Sequence, residues 1–165
     1  MPPQKYRGNE RSSRATQSGV SLGGSLNVDP AKKSLRQRLE IVEDGWQDFQ
    51  GSRSRDAIYP FLQRVYSLVQ RYKRRGRGKR LMRNILKLAG FKADADTNVY
   101  SLVIRFAAGP DDVDRKVTSK LSRVLRYAAK FKPKRVSLRA FIRARGGLNE
   151  VATLYAQRLG RHRDR

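Results

Sequence analysis

The chain contains no cysteine. A disulfide framework, a Cys-type zinc site and a thiol nucleophile are therefore excluded, and the composition suits a reducing compartment. Histidine is almost as scarce. The single one, His162, lies in the charged tail 161–165, where nothing would hold a metal triad or a Ser-His-Asp relay. No apolar run approaches the roughly 18 residues of a membrane span, and the N-terminus lacks the apolar stretch of a secretory signal. The chain reads as soluble and cytosolic, and as nucleoid-associated if it is a DNA binder in a bacterium. Apolar residues make up only 38%, below the usual share for a globular domain. That is enough for a core if the polar N-terminal segment stays outside it.

The most informative absence is of acidic residues. Windows 57–93 and 115–149 contain no Asp or Glu, yet carry 11 and 12 Lys or Arg respectively. The remaining residues carry 15 basic and 14 acidic side chains, so nearly all of the net charge of +24 resides in the two windows. The densest part is 71–83, Arg-Tyr-Lys-Arg-Arg-Gly-Arg-Gly-Lys-Arg-Leu-Met-Arg, in which eight of thirteen residues are basic. Charge segregated in this way attracts polyanions, of which nucleic acid is the commonest.

A chain of 165 residues has room for one domain with a tail, or for two small packed modules. Residues 1–28 are polar and without apolar periodicity, so they are expected to form a disordered basic arm. Residues 29–160 are expected to form an all-α basic domain, with 29–90 and 97–160 as candidate submodules, before the charged tail 161–165. Asp29-Pro30 reads as a helix start, followed by the stripe Leu35, Leu39, Val42, Trp46 and Phe49. Glu40, Glu43, Asp44 and Asp48 make this the acidic element, able to pair with the basic windows and partly mask them. Asp56 is expected to cap the next helix, whose stripe Ile58, Phe61, Leu62, Val65, Leu68, Val69 and Tyr72 is the strongest in the chain. Gly76 and Gly78 break it, and a short helix resumes near Lys79 and stops at Gly90.

Residues 98–108 match both a strand and a helix pattern; the Thr97-Asn98 capping pair and the Gly109-Pro110 stop favour helix. Asp111, Asp112 and Asp114 precede a helix with the stripe Val117, Leu121, Val124, Leu125, Ala128 and Phe131. After the basic turn at Lys132-Pro133-Lys134-Arg135, Ser137 caps a helix that ends at Gly146-Gly147. Asn149 is expected to cap the last helix. The sum is a compact bundle of six or seven short helices with αα-hairpins.

Lys and Arg hold phosphate as point charge or bidentate fork, a contact that dominates nucleic-acid affinity without reading sequence. The candidate contacts in the first window are Arg71, Lys73, Arg74, Arg75, Arg77, Lys79, Arg80 and Arg83. Those in the second are Lys116, Lys120, Arg123, Arg126, Lys130, Lys132, Lys134, Arg135, Arg139 and Arg143. The two sets are expected to meet as one surface. Duplex DNA is favoured over RNA because the cations ride on helices, which fit a major groove, and a regulatory or DNA-organising role would follow. Tyr72 and Tyr127 are the candidates for stacking on unpaired bases, while Tyr59, Tyr66, Phe61 and Phe131 fit the core.

Two helix–glycine–helix units, 61–89 and 137–159, have the outline of helix-turn-helix elements. Gly146-Gly147-Leu148-Asn149-Glu150-Val151-Ala152, running to Leu159-Gly160, resembles the first part of a helix-turn-helix of the factor-for-inversion-stimulation type. The resemblance covers about fifteen residues and stops where a recognition helix should follow, since only five residues remain. The unit is read as an αα-hairpin and no family is assigned. The rival to nucleic acid is an acidic protein partner docking on the same basic surface. An Mg²⁺-dependent nuclease would need Asp94, Asp96, Asp111, Asp112 and Asp114 as ligands, but helix capping already accounts for their positions. No cofactor is implied and no enzyme is expected.

Overall fold

The computed structural model describes residues 34–92, 97–109 and 113–159. The arm, Asp29-Pro30, Asp94, Asp96, Pro110, Asp111, Asp112, Gly160 and the tail with His162 lie outside them. Within them are seven α-helices and no strand: α1 (Leu35–Gly51), α2 (Ile58–Arg74), α3 (Gly78–Ala89), α4 (Val99–Ala108), α5 (Arg115–Phe131), α6 (Leu138–Arg143) and α7 (Leu148–Leu159). No helix among the described residues is long and apolar enough to cross a membrane.

Among the described residues the first helix starts at Leu35. Ser34 is its N-cap: the Ser34 hydroxyl accepts from the Gln37 amide at 3.3 Å, and the Gln37 side chain accepts from the Ser34 amide at 2.9 Å. This reciprocal box satisfies two of the amides that a helix start leaves open. Leu39, Val42 and Trp46 are buried as the stripe requires. Gly45 lies in the same buried face because the Arg64 side chain from α2 crosses it. A Cβ there would come within 2.7 Å of Arg64 Cδ, which accounts for a residue that costs about 1 kcal/mol inside a helix relative to alanine.

α4 is the centre of the bundle. Tyr100, Leu102, Val103, Ile104, Ala107 and Ala108 are all buried, and the helix packs against α1, α2, α3 and α5. A helix apolar on every side belongs in the interior. That is also why 98–108 fits two templates: with nearly every position apolar, both periods find matches. Asn98 decides the matter locally, accepting from the amides of Tyr100 and Ser101 at 3.1 and 3.0 Å. The buried side chains of all seven helices form one continuous core.

Both hairpins end their first helix in the same way. After α2, Gly76 has φ +66°; its amide donates to the Lys73 carbonyl at 2.9 Å and that of Arg77 to the Tyr72 carbonyl at 2.9 Å. After α6, Gly146 has φ +83°, with Gly146 to Arg143 at 3.1 Å and Gly147 to Ile142 at 3.0 Å. These are Schellman turns, which need a left-handed residue and therefore glycine.

Three expected details are corrected. Asp56 does not cap α2, whose N-cap is Ala57 without a side-chain bond. Asn149 lies inside α7, where the Val151 amide already donates to the Gly147 carbonyl. Val117, placed in the α5 stripe by spacing, is 37% exposed because the buried face of α5 begins with Thr118, one residue further round the helix.

Candidate nucleic-acid interface

The two basic windows meet along the outer flank of α2. Tyr59, Tyr66 and Lys73 recur every seventh residue, which places them on one line of the helix, and Gln70 lies beside that line. Each position is met by a group from another element. Arg139 of α6 lies 6.0 Å from the Tyr59 ring centre, and Lys132, from the turn after α5, lies 5.7 Å from that of Tyr66. Gln70 donates to the Tyr100 hydroxyl at 2.8 Å, and the Lys73 ammonium sits 5.0 Å over the Tyr100 ring. Arg126 of α5 stacks 4.8 Å over Tyr155, and its charge reaches Lys73.

Burial first, and then the Arg126 charge, hold Lys73 below the ordinary 10.5 of a lysine. Burial raises the Tyr100 phenol, although the Gln70 hydrogen bond pulls the other way. Tyr66 is raised by burial and lowered in part by the neighbouring Arg74. Cations from three parts of the chain thus stand close along one face, over aromatic rings whose negative faces suit them.

At the end of this flank is the hairpin of α2 and α3. Arg75, Arg77, Lys79, Arg80 and Arg83 are exposed, and no ion pair holds any of them among the described residues. Arg74 is exposed too, with its Nε on the Gln70 carbonyl at 3.4 Å. α3 starts without a side-chain cap. Its first amides therefore have no side-chain acceptor, beside Arg77, Lys79 and Arg80 in sequence, an arrangement suited to a phosphate oxygen. Arg71 is half-buried on the α1 side of α2.

The second window is used differently. Arg139 and Arg143 both bind the Asp56 carboxylate, at 2.7 and 2.9 Å. This is where Asp56 is spent instead of at a helix cap. Lys120 donates to Asn149 of α7 at 3.3 Å. Lys132 donates to the carbonyls of Pro133 and Val136 at 3.0 and 2.7 Å and so closes its own turn. Lys130 lies 5.6 Å over Phe131. Lys116, Arg123, Lys134 and Arg135 are at the surface. The acidic face of α1 reaches the windows through Asp48, paired with Arg64 at 3.2 Å, whereas Glu40 pairs with Arg36 of its own helix.

Tyr127 is corrected as a stacking candidate. It is buried, with the Phe131 and Phe141 rings 4.6 and 6.2 Å away, because α6 covers a face of α5 that the sequence stripe leaves open. Tyr72 is half-buried against the core. Tyr59 and Tyr66 lie at the edge of the core rather than inside it, each with a cation over its ring; their seven-residue spacing with Lys73 is the signal that singles them out. Asp114 caps α5 by accepting from the Lys116 amide at 2.9 Å, and no metal-ready cluster exists among the described residues.

No protein-family model, curated protein or solved structure matches this chain.

Proposed function

We propose that this protein binds nucleic acid in the cytosol, gripping the phosphate backbone along the outer flank of α2 and the α2–α3 hairpin. The observation that carries this reading is that Lys73 and Lys132, one from each acid-free window, stand along one line of α2 over aromatic rings, continued by the cations of the hairpin. Like charges held close without an intervening carboxylate cost stability through mutual repulsion, and a line of phosphates relieves that cost. The arm of contacts is Arg74, Arg75, Arg77, Lys79, Arg80 and Arg83, joined by Lys73, Arg126 and Lys132. From Tyr59 to Lys73 the flank runs about 21 Å at 1.5 Å per residue, the length of about six phosphates along one strand of a duplex. Duplex DNA is the favoured polymer because the cations stand on helices, and a DNA-organising role accords with contacts that read no sequence.

Fluorescence anisotropy of labelled duplex DNA, single-stranded DNA and RNA, titrated across salt, tests the reading. Wild type is compared with Arg74→Ala/Arg75→Ala/Lys79→Ala/Arg80→Ala. Binding should persist at physiological salt, and the slope of log affinity on log salt should fall by about 3–4 in the variant, at about 0.9 per phosphate lost. Binding that vanishes by physiological salt without polymer preference would overturn the reading and assign the surface to an acidic protein partner.

A further inference from the structure

A second basic feature lies on the other side of α2. A groove of about 380 Å³ runs between α1 and α2, rimmed by Arg38, Arg64, Arg71 and Arg74. Its floor is apolar, formed by Ile41, Val42 and Leu68. On the α2 side, Gln63 donates to the Ser67 hydroxyl at 2.9 Å, so an amide and a hydroxyl stand together above the floor. We propose that this groove binds a nucleoside phosphate, with the ring on the apolar floor and the phosphate among the guanidinium groups.

Three features support this ligand class. The volume lies at the low end of the range for small-molecule sites, which suits one nucleotide. Concave apolar surface with a few convergent polar groups is the usual make-up of such a site, whereas a bare inorganic anion would leave the floor unused. One rim group is also fixed in advance: Arg64 donates to the Ile41 carbonyl at 3.1 Å and to Asp48 at 3.2 Å, while lying across Gly45. Fixed donors lose less entropy on binding than mobile ones. Burial, and then the charges of Arg71 and Arg75, lower the Arg38 guanidinium from its ordinary value, so an anion entering beside it is met by crowded positive charge. The source of the ligand is either a free nucleotide or the terminal nucleotide of a strand; both present the same ring and phosphate. The groove does not require a polymer on the hairpin, so this inference and the proposed function stand or fall separately.

The test is isothermal titration calorimetry of the full chain at physiological salt with adenosine 5′-monophosphate, adenosine, inorganic phosphate and a 5′-phosphorylated dinucleotide. The monophosphate should bind one to one, with adenosine and phosphate each weaker by about tenfold or more. Ser67→Glu places a carboxylate on the rim at an exposed position. It should lower monophosphate affinity by about tenfold with an unchanged melting temperature. Arg80→Ala/Arg83→Ala, on the hairpin, should leave that affinity unchanged. A dinucleotide tighter than the monophosphate supports the inference with a strand end as source; equal affinities support it with a free nucleotide. Phosphate binding as well as the monophosphate, heat that does not saturate at one equivalent, or Ser67→Glu binding like wild type would each overturn it.

Discussion

The two acid-free windows carry nearly equal charge, 11 and 12 basic residues, but the fold puts that charge to different uses. In the first, the cations from Arg75 to Arg83 stand on a hairpin tip with no carboxylate pairing them among the described residues. In the second, Arg139 and Arg143 share Asp56, Lys120 is tied to Asn149 and Lys132 closes a turn. Charge count alone does not separate a binding surface from a structural one; the partner of each cation does. The two windows meet where Lys132 and Arg139 reach the α2 flank, and there the second window adds to the surface of the first.

The sharpest way to break this contrast is to remove a side chain that serves only the packing. Tyr127→Ala should cost about 3–5 kcal/mol, as for other large buried rings, in a denaturant melt. Its salt slope on nucleic acid, measured where it remains folded, should match wild type. A loss of binding without loss of stability would return Tyr127 to the surface.

The two Schellman turns provide a matched pair. An alanine in the left-handed region costs about 1–2 kcal/mol, and at Gly76 the added Cβ would meet open space. At Gly146 it would also meet Glu150 Cγ at 2.8 Å. Thermal melts should therefore rank Gly146→Ala as the more destabilised variant, and equal losses would mean that Glu150 moves aside freely.

Asp56→Ala makes the second window resemble the first. The paired arginines are about half exposed, at 53% and 55%, so the stability loss should stay within about 1 kcal/mol. The two released cations should steepen the salt slope by about 1–2, which anisotropy would detect as tighter binding at low salt. An unchanged slope would mean that Asp56 masks nothing.

The smallest effect concerns pH. Lys73 is lowered in the folded protein by burial and by Arg126, so between that lowered value and 10.5 the unfolded chain binds more protons at this site. Stability therefore rises with pH across this window. Lys73→Met should show a flatter stability-against-pH curve than wild type there, read from urea midpoints. Arg126→Gln should move the Lys73 titration upward by ammonium-detected NMR.

The helices were legible from sequence because six of the seven carry an amphipathic stripe, and Gly76, Gly90 and Gly146 mark ends by needing φ > 0. α4 was the ambiguous one because it is buried all round. The basic surface was legible as charge but not as geometry. Asp56 lies 83 and 87 residues from Arg139 and Arg143, so nothing local to either end announces the pairing. The same holds for Lys132 over Tyr66, and for α6 closing over Tyr127. Spacing within a helix tells which side chains share a face; it does not tell which other element covers that face.

The central claim is that equal charges in the two windows do unequal things. It is tested most directly by the salt slope on duplex DNA of two variants that each lose three charges: Arg75→Ala/Lys79→Ala/Arg80→Ala on the hairpin, and Lys120→Ala/Arg139→Ala/Arg143→Ala in the second window. The hairpin variant should lower the slope by about 2–3 and the other by less than about 1. Equal reductions in the two would contradict the account, leaving only the net charge to explain binding.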